Sequence, residues 1–228
     1  ILGEIWHSSQ SWLTGDEFHA VMNYPLTDAI IAFFARDGLS PEEFVSALNE
    51  HFMKYRQQAN EVMFNLLDSH DTPRILTICN GDKNIVKAAL TFMFLQYGTP
   101  CIFYGTEIGL EGENDPDCRK CMVWDSTQQD LDMLSFTKQL IRLRKNYADI
   151  ISKGQLIWHD IRETEKVIGF TKKSGDEEII CYFNKGNTKL HLSFNNKPEV
   201  LFQNLTQWND REVLVAKNGF IIFRKIGS

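Results

Sequence analysis

Val62-Met63-Phe64-Asn65-Leu66-Leu67-Asp68-Ser69-His70-Asp71-Thr72-Pro73-Arg74 is an apolar run that stops abruptly at acids, a histidine and a Pro-Arg pair. Val62 to Leu67 has the length and apolar content of a strand buried on both faces. Its neighbours on either side are helical. Upstream, Ser40-Pro41-Glu42-Glu43 is a capping box with proline at the first helical position, and it launches a helix whose Phe44, Leu48, Phe52 and Tyr55 keep the 3.6 period. Downstream, Asp82 is placed to cap a helix carrying Ile85, Ala89 and Phe92. Working outward, Ile1 to Glu4 and Phe18 to Tyr24 read as two earlier strands and Cys101 to Tyr104 as a fourth. Phe136, Leu140, Leu143 and Tyr147 mark a long closing helix. Four strand-then-helix units in order predict an α/β fold with a parallel sheet covered by helices.

The pattern changes near residue 150. Val167–Thr171, Ile179–Phe183 and Phe220–Phe223 are β-rich, and Leu190, Leu192 and Phe194 alternate with polar residues. Turn signals at Ser174-Gly175-Asp176, Lys185-Gly186-Asn187 and Asn218-Gly219 separate them. The expectation is an antiparallel β-sandwich of six to eight strands over residues 149–228, packed directly on an α/β part over residues 1–148. A (β/α)8 TIM barrel takes about 250 residues, so four units supply about half of one. Left open, such a sheet would expose two edges of buried-type strands. Either the rest of a barrel precedes Ile1 in a longer chain, which the absence of an initial Met favours, or the fold is a smaller open sheet.

Composition sets the remaining bounds. In 228 residues, 43% hydrophobic and 12% aromatic content suffices for a real core. A formal net charge of −6 with no basic block argues against a nucleic-acid partner. The longest apolar stretch, Ala88 to Tyr97, is shorter than the roughly 18 residues of a membrane span. The five cysteines, Cys79, Cys101, Cys118, Cys121 and Cys181, form no disulfide framework, and a lone Cys118-x-x-Cys121 lacks the second ligand pair of a structural zinc site. They read as residues of a reduced, cytoplasmic protein, and no metal site is expected in the chain.

In parallel α/β folds reactive groups collect where strands hand over to loops. Here the first strand ends at Glu4 with Trp6 and His7 beyond it, and the second at Asn23-Tyr24-Pro25. The third ends at His70-Asp71, and the fourth leads to Glu107 and then to Asp115 and Arg119. Each has a bland reading: an exposed loop acid, a turn and cap, core aromatics, or a weak surface ion pair. Together they place two carboxylates, a histidine and a sugar-sized aromatic on one rim. That is the equipment of glycoside hydrolysis, in which one carboxyl donates a proton and another stays ionised. Glu4, flanked by Gly3, Ile5 and Trp6, is the expected proton donor, since burial disfavours its charged form. Asp71, next to His70 and close in sequence to Arg74, is the expected ionised partner, and Trp6 offers a face to a pyranose ring.

Gly3-Glu4-Ile5-Trp6-His7, Val21-Met22-Asn23-Tyr24-Pro25-Leu26 and the Phe64–Arg74 stretch resemble the α-amylase superfamily of glycoside hydrolases. Ile102-Phe103-Tyr104-Gly105-Thr106-Glu107-Ile108-Gly109 and Asp115-Pro116-Asp117-Cys118-Arg119-Lys120 resemble its neopullulanase, cyclomaltodextrinase and maltogenic amylase branch. The resemblance implies the second half of a (β/α)8 barrel, strands five to eight, followed by the β-sandwich. It implies a retaining enzyme cleaving α-1,4-glucosidic bonds in cyclodextrins, pullulan or maltooligosaccharides. Glu4 matches the general acid/base, and Asp71 the carboxylate that stabilises the transition state. His70, Trp6, Tyr24, Asp115 and Arg119 match substrate-binding positions. The family's nucleophilic Asp lies on the preceding barrel strand, so the segment alone is expected to be inactive. Calcium, where the family binds it, and the module that joins its homodimers also lie upstream. The alternative is an amylase-fold protein that has lost catalysis and serves as a carbohydrate-binding or structural subunit.

Overall fold

The computed structural model describes residues 1–225. Four short strands, β1 (Leu2–Gly3), β2 (Ala20–Val21), β3 (Phe64–Asn65) and β4 (Thr99–Pro100), form an arc in chain order. β1 pairs with β2 and β3 with β4, both parallel, and a parallel bridge from Met22 to Phe64 joins the two pairs. All four therefore point the same way, and their C-terminal ends share one rim. A buried rung ties them together: Asn23 donates to Asn65 Oδ1 at 2.8 Å, and Asn65 donates to the Tyr97 carbonyl at 2.6 Å.

The helices on the outside are α1 (Tyr24–Phe34), α2 (Pro41–Met53), α3 (Gln57–Asn60), α4 (Ile75–Ile78), α5 (Lys83–Phe94), α6 (Leu131–Asn146) and α7 (Ala148–Lys153). Both halves of the capping box at Ser40 and Glu43 are formed, and Asp82 accepts from Asn84 and Ile85 as the cap of α5. The second strand is shorter than the sequence predicts, because Tyr24 already begins α1, with Pro25 in its first turn. The fourth lies slightly earlier than predicted, at Thr99–Pro100 instead of Cys101–Tyr104.

The C-terminal part is a six-stranded antiparallel sheet: β5 (Gln155–Arg162), β6 (Val167–Ser174), β7 (Glu177–Asn184), β8 (Leu190–Ser193), β9 (Glu199–Asn209) and β10 (Glu212–Lys225). Hydrogen bonding joins all six through β10, where two separate sheets were expected. β9 runs along one edge of β10, while β8 pairs with its first half and β7 with its second on the other. Asn218-Gly219 is not a hairpin turn but lies inside β10, where Asn218 takes a φ of 58° and the register with β9 shifts. Ser174-Gly175-Asp176 is the β6–β7 turn, with Gly175 at φ 58°.

One apolar cluster runs through both parts. Phe33 stacks on Phe44 at 4.4 Å from α1 to α2, and Phe92 of α5 meets Phe170 and Phe183 of the sheet at 5.7 and 5.6 Å. Arg144 of α6 secures the chain between α5 and β4. Its guanidinium donates to the carbonyls of Phe94, Gln96 and Gly98 and to Ser152. The Phe94 carbonyl is one that the end of α5 leaves without a helical partner, and those of Gln96 and Gly98 lie in the turn beyond it. Among the described residues no helix is long and apolar enough to cross a membrane.

Candidate active site

The rim assembles the residues singled out from sequence. Glu4, just past β1, and His70 and Asp71, beyond β3, each offer an atom, and these atoms lie within 4.8 Å of one another. His70 Nε2 stands 3.3 Å from Asp71 Oδ2 and 3.9 Å from Glu4 Oε1. The imidazole thus sits between the two acids.

Tyr24 is placed by the helix start that follows β2. Its ring is buried and lies under Trp6, with centroids 3.8 Å apart and planes within 6°. Trp6 is half exposed, so one face is covered by Tyr24 and the other is open. The Tyr24 hydroxyl lies 3.3 Å from both Glu4 Oε1 and Ser69 Oγ. Burial pushes the Tyr24 phenol up to about 12; the Ser69 hydrogen bond opposes this, and Glu4 and Asp71 add to it. The hydroxyl accordingly keeps its proton and can donate to Glu4. The burial expected of Glu4 itself is not present: its side chain is 42% exposed.

Asp71 is held by Arg119, not by its sequence neighbour Arg74. Arg119 Nη2 donates to Asp71 Oδ1 at 2.9 Å, while its Nε reaches Asp115 Oδ1 at 2.7 Å and the His70 carbonyl at 2.9 Å. Asp115 and Arg119 are therefore not a separate pair but one end of a chain that reaches the central carboxylate. Arg74 is fully buried beneath this layer. Its Nε donates to the Cys118 carbonyl at 2.8 Å, it donates also to the Tyr104 carbonyl, and it lies 4.1 Å from the Phe103 ring centroid. Cys118 in turn points its thiol at the His70 carbonyl, 3.1 Å away. Arg74 and Cys118 thus fix the loop that carries Asp115 and Arg119 against the loop that carries His70 and Asp71. All five cysteines are free; Cys118 is buried and Cys121 exposed.

Two positioning residues escaped the sequence reading. Ser69 Oγ accepts from the Asp71 amide at 3.1 Å and meets the Tyr24 hydroxyl, linking the β2 and β3 handovers. Asp68 is buried, accepts from the Ile75 amide and from Thr106, and ties the β3 loop to the turn after β4. Burial pushes the Asp68 carboxyl up, against hydrogen bonds from Ile75 and Thr106 that favour its charged form. The signal for Ser69 was local, since it precedes Thr72 by the spacing of a side-chain-capped turn and its amide does donate to Thr72 Oγ1 at 2.9 Å, whereas the partners of Asp68 lie farther along the chain.

Glu4, His70 and Asp71 offer mixed oxygen and nitrogen donors, but a cation there would have to compete with Tyr24 for Glu4 and with Arg119 for Asp71. The arrangement suits proton donation next to a held carboxylate, with an aromatic face alongside.

The α-amylase catalytic-domain family matches residues 1–160. An intracellular maltogenic amylase of Bacillus subtilis is 52% identical over 193 residues, covering 85% of this chain and 33% of the relative. A cyclomaltodextrinase of Geobacillus thermopakistaniensis is 46% identical over 187 residues, covering 82% of the chain and 32% of the relative. Among solved structures a cyclomaltodextrinase superposes with a TM-score of 0.85 at 37% identity, over 98% of this chain and 40% of that one. The chain spans about a third of the length of these curated relatives. With the family's catalytic domain matched over most of the sequence, and with relatives well above 30% identity, the chain belongs to the α-amylase family, in the branch of maltogenic amylases, cyclomaltodextrinases and neopullulanases.

Proposed function

We propose that this chain supplies the acid/base half of a retaining glycosidase acting on α-1,4-glucosidic bonds of cyclodextrins, pullulan or maltooligosaccharides. The observation that carries the reading is the single cluster of Glu4, His70 and Asp71, flanked by the open face of Trp6 and anchored by Arg119. Glu4 donates its proton to the glycosidic oxygen and later takes one from water. Tyr24, a donor that stays neutral, sets the orientation of the Glu4 carboxyl. Asp71, fixed by Arg119, grips sugar hydroxyls and favours the positive charge that develops at the anomeric carbon, and His70 hydrogen-bonds the same sugar. Trp6 stacks on the acceptor side, and Asp115 with Arg119 holds the next glucose on the donor side. The nucleophilic Asp comes from a barrel strand on the open edge of β1. Residues 1–148 then form strands five to eight of the (β/α)8 barrel, and residues 149–228 the C-terminal β-domain that follows it.

The test uses the full-length protein. Glu4→Gln is expected to lower kcat on β-cyclodextrin and maltotriose by at least ~100-fold, with the product anomer retained in the parent enzyme by NMR. Near-normal turnover in the variant would remove Glu4 from its role. Absence of turnover in the parent enzyme, with sugar binding intact, would favour a non-catalytic glucan-binding subunit.

A further inference from the structure

We propose that the junction between the barrel part and the β-sheet carries a binding site for a phosphate group. A cavity of about 330 Å³ opens there, bounded by the end of α1, the start of α5, the β5–β6 turn, the β7–β8 loop and the kink of β10. That is at the lower end of the roughly 300–1,000 Å³ usual for small-molecule sites. Three lysines reach it: Lys166, Lys185 and Lys217. A single carboxylate faces them. Asp37 Oδ1 accepts from Lys166 at 3.0 Å and also from Lys185, whose side chain is only 8% exposed. Among the described residues Lys217 pairs with no acid, and its Nζ donates to Asn187 Oδ1 at 2.9 Å. Among the residues that line the cavity, three lysines face one carboxylate, and Asp82 stands behind Asn218.

The other acids close by are already engaged. Glu163 Oε1 accepts from Ser40 and from the Glu42 amide at the start of α2, and Asp82 Oδ1 accepts from Asn84 and Ile85 as the cap of α5, while its Oδ2 lies 3.5 Å from Asn218 Nδ2 at the cavity edge. The lysines also act against one another. Burial holds the Lys185 ammonium below its ordinary range despite Asp37, and both Lys166 and Lys217 push it further the same way. Asp37 and Lys166 are both held at positive φ, 50° and 53°, conformations that non-glycine residues seldom adopt.

A tetrahedral dianion satisfies this arrangement. Lys217 would donate to its oxygens directly, Lys166 and Lys185 would share their ammonium protons between it and Asp37, and the Asn187 amide completes a polar lining. The ligand is either inorganic phosphate or the phosphate of a hexose monoester, for which the cavity has room. Among the described residues both ion pairs that join the two parts of the chain converge on Asp37. A bound phosphate takes its donors from the sheet part and competes with Asp37 for Lys166 and Lys185.

The experiment compares full-length enzyme and its Lys217→Met variant by thermal unfolding and by 31P line broadening, in inorganic phosphate, in glucose 6-phosphate and in sodium chloride of equal ionic strength. Lys217 is exposed and remote from the rim, so the variant keeps its fold and its activity on α-glucans. A saturable rise in Tm of ~2–5 °C over chloride, with the apparent Kd weakened at least ~5-fold in the variant, is the expected result. Tighter binding of glucose 6-phosphate identifies the ester as ligand, and equal or weaker binding identifies free phosphate. A shift that chloride reproduces, or one unchanged in both Lys217→Met and Lys166→Met, would overturn the site.

Discussion

Lys172 on β6 is the strongest test of how the two parts of the chain are held together. It is fully buried, its Nζ has no hydrogen-bond partner among the described residues, and it lies 3.4 Å from the centre of the Tyr97 ring. Burial lowers its ammonium from 10.5 to about 7, and the nearby Arg144 guanidinium adds to the effect. At about 1.4 kcal/mol per pH unit, that displacement opposes folding by about 5 kcal/mol when both states carry the proton. Lys172→Met keeps the apolar stem and removes the charge together with its contact on the Tyr97 ring, so we expect a gain of roughly 3–5 kcal/mol at pH 6. The sign of the pH dependence follows. Between about 7 and 10.5 the unfolded chain binds a proton that the folded chain does not, so wild-type stability rises through that window. Below it the full cost persists. The advantage of the variant should therefore be greatest at pH 6 and fall below ~1 kcal/mol by pH 10.5. Thermal unfolding of the full-length protein at the two pH values reads this as a Tm gain of roughly 6–12 °C at pH 6 that disappears in alkali. A variant less stable at pH 6, or a gain independent of pH, would refute the buried-charge account.

Other expectations concern the rim. Tyr24→Phe preserves the stack on Trp6 but leaves Glu4 without its donor, so kcat should fall about tenfold with little change in Tm, and an unchanged kcat would dismiss Tyr24 as a positioning residue. Arg119→Ala removes the hold on Asp71, Asp115 and the His70 carbonyl together; kcat/KM should drop by about 10–100-fold. These groups are largely solvent-exposed, so the melting temperature should barely move, and a large loss of stability would contradict a functional role. Gly98 sits at φ 91°, and a Cβ there would lie 2.5 Å from the Met63 carbonyl oxygen. Gly98→Ala should cost more than ~2 kcal/mol in urea unfolding and disturb the Asn65 rung.

Where sequence and structure agree, the signal was local. The Ser40-Pro41-Glu42-Glu43 box and the Asp82 cap are satisfied by groups within three residues, so their outcome was decided before any tertiary contact formed. The order of strand ends was legible for a related reason: in a parallel sheet every handover falls on one side, so Glu4, Tyr24 and Asp71 had to share a rim. Local signals also misled. Val21-Met22-Asn23-Tyr24 reads as strand, yet the chain turns into α1 at Tyr24, and Pro25 in its first turn was the clue. Asn218-Gly219 has the composition of a hairpin turn, but β9 pairs with β10 on both sides of it and converts it to a bulge. Tertiary pairing overrode the turn propensity.

The identity of the partner of Asp71 shows what sequence distance conceals. Arg74 stands three residues away and was the obvious cation, but it lies beneath the rim, fully buried, and spends its donors on the carbonyls of Cys118 and Tyr104. The cation that reaches Asp71 is Arg119, 48 residues on, carried by the loop that Arg74 fixes in place. The two arginines therefore divide one task. A guanidinium with several donors on a rigid plane suits a buried bridge between carbonyls of separate loops, and the resulting loop presents a second guanidinium outward to two acids. Asp71 depends on Arg74 only through Arg119. Substituting Arg74 should therefore loosen the whole loop, whereas substituting Arg119 should release the carboxylate from an intact scaffold.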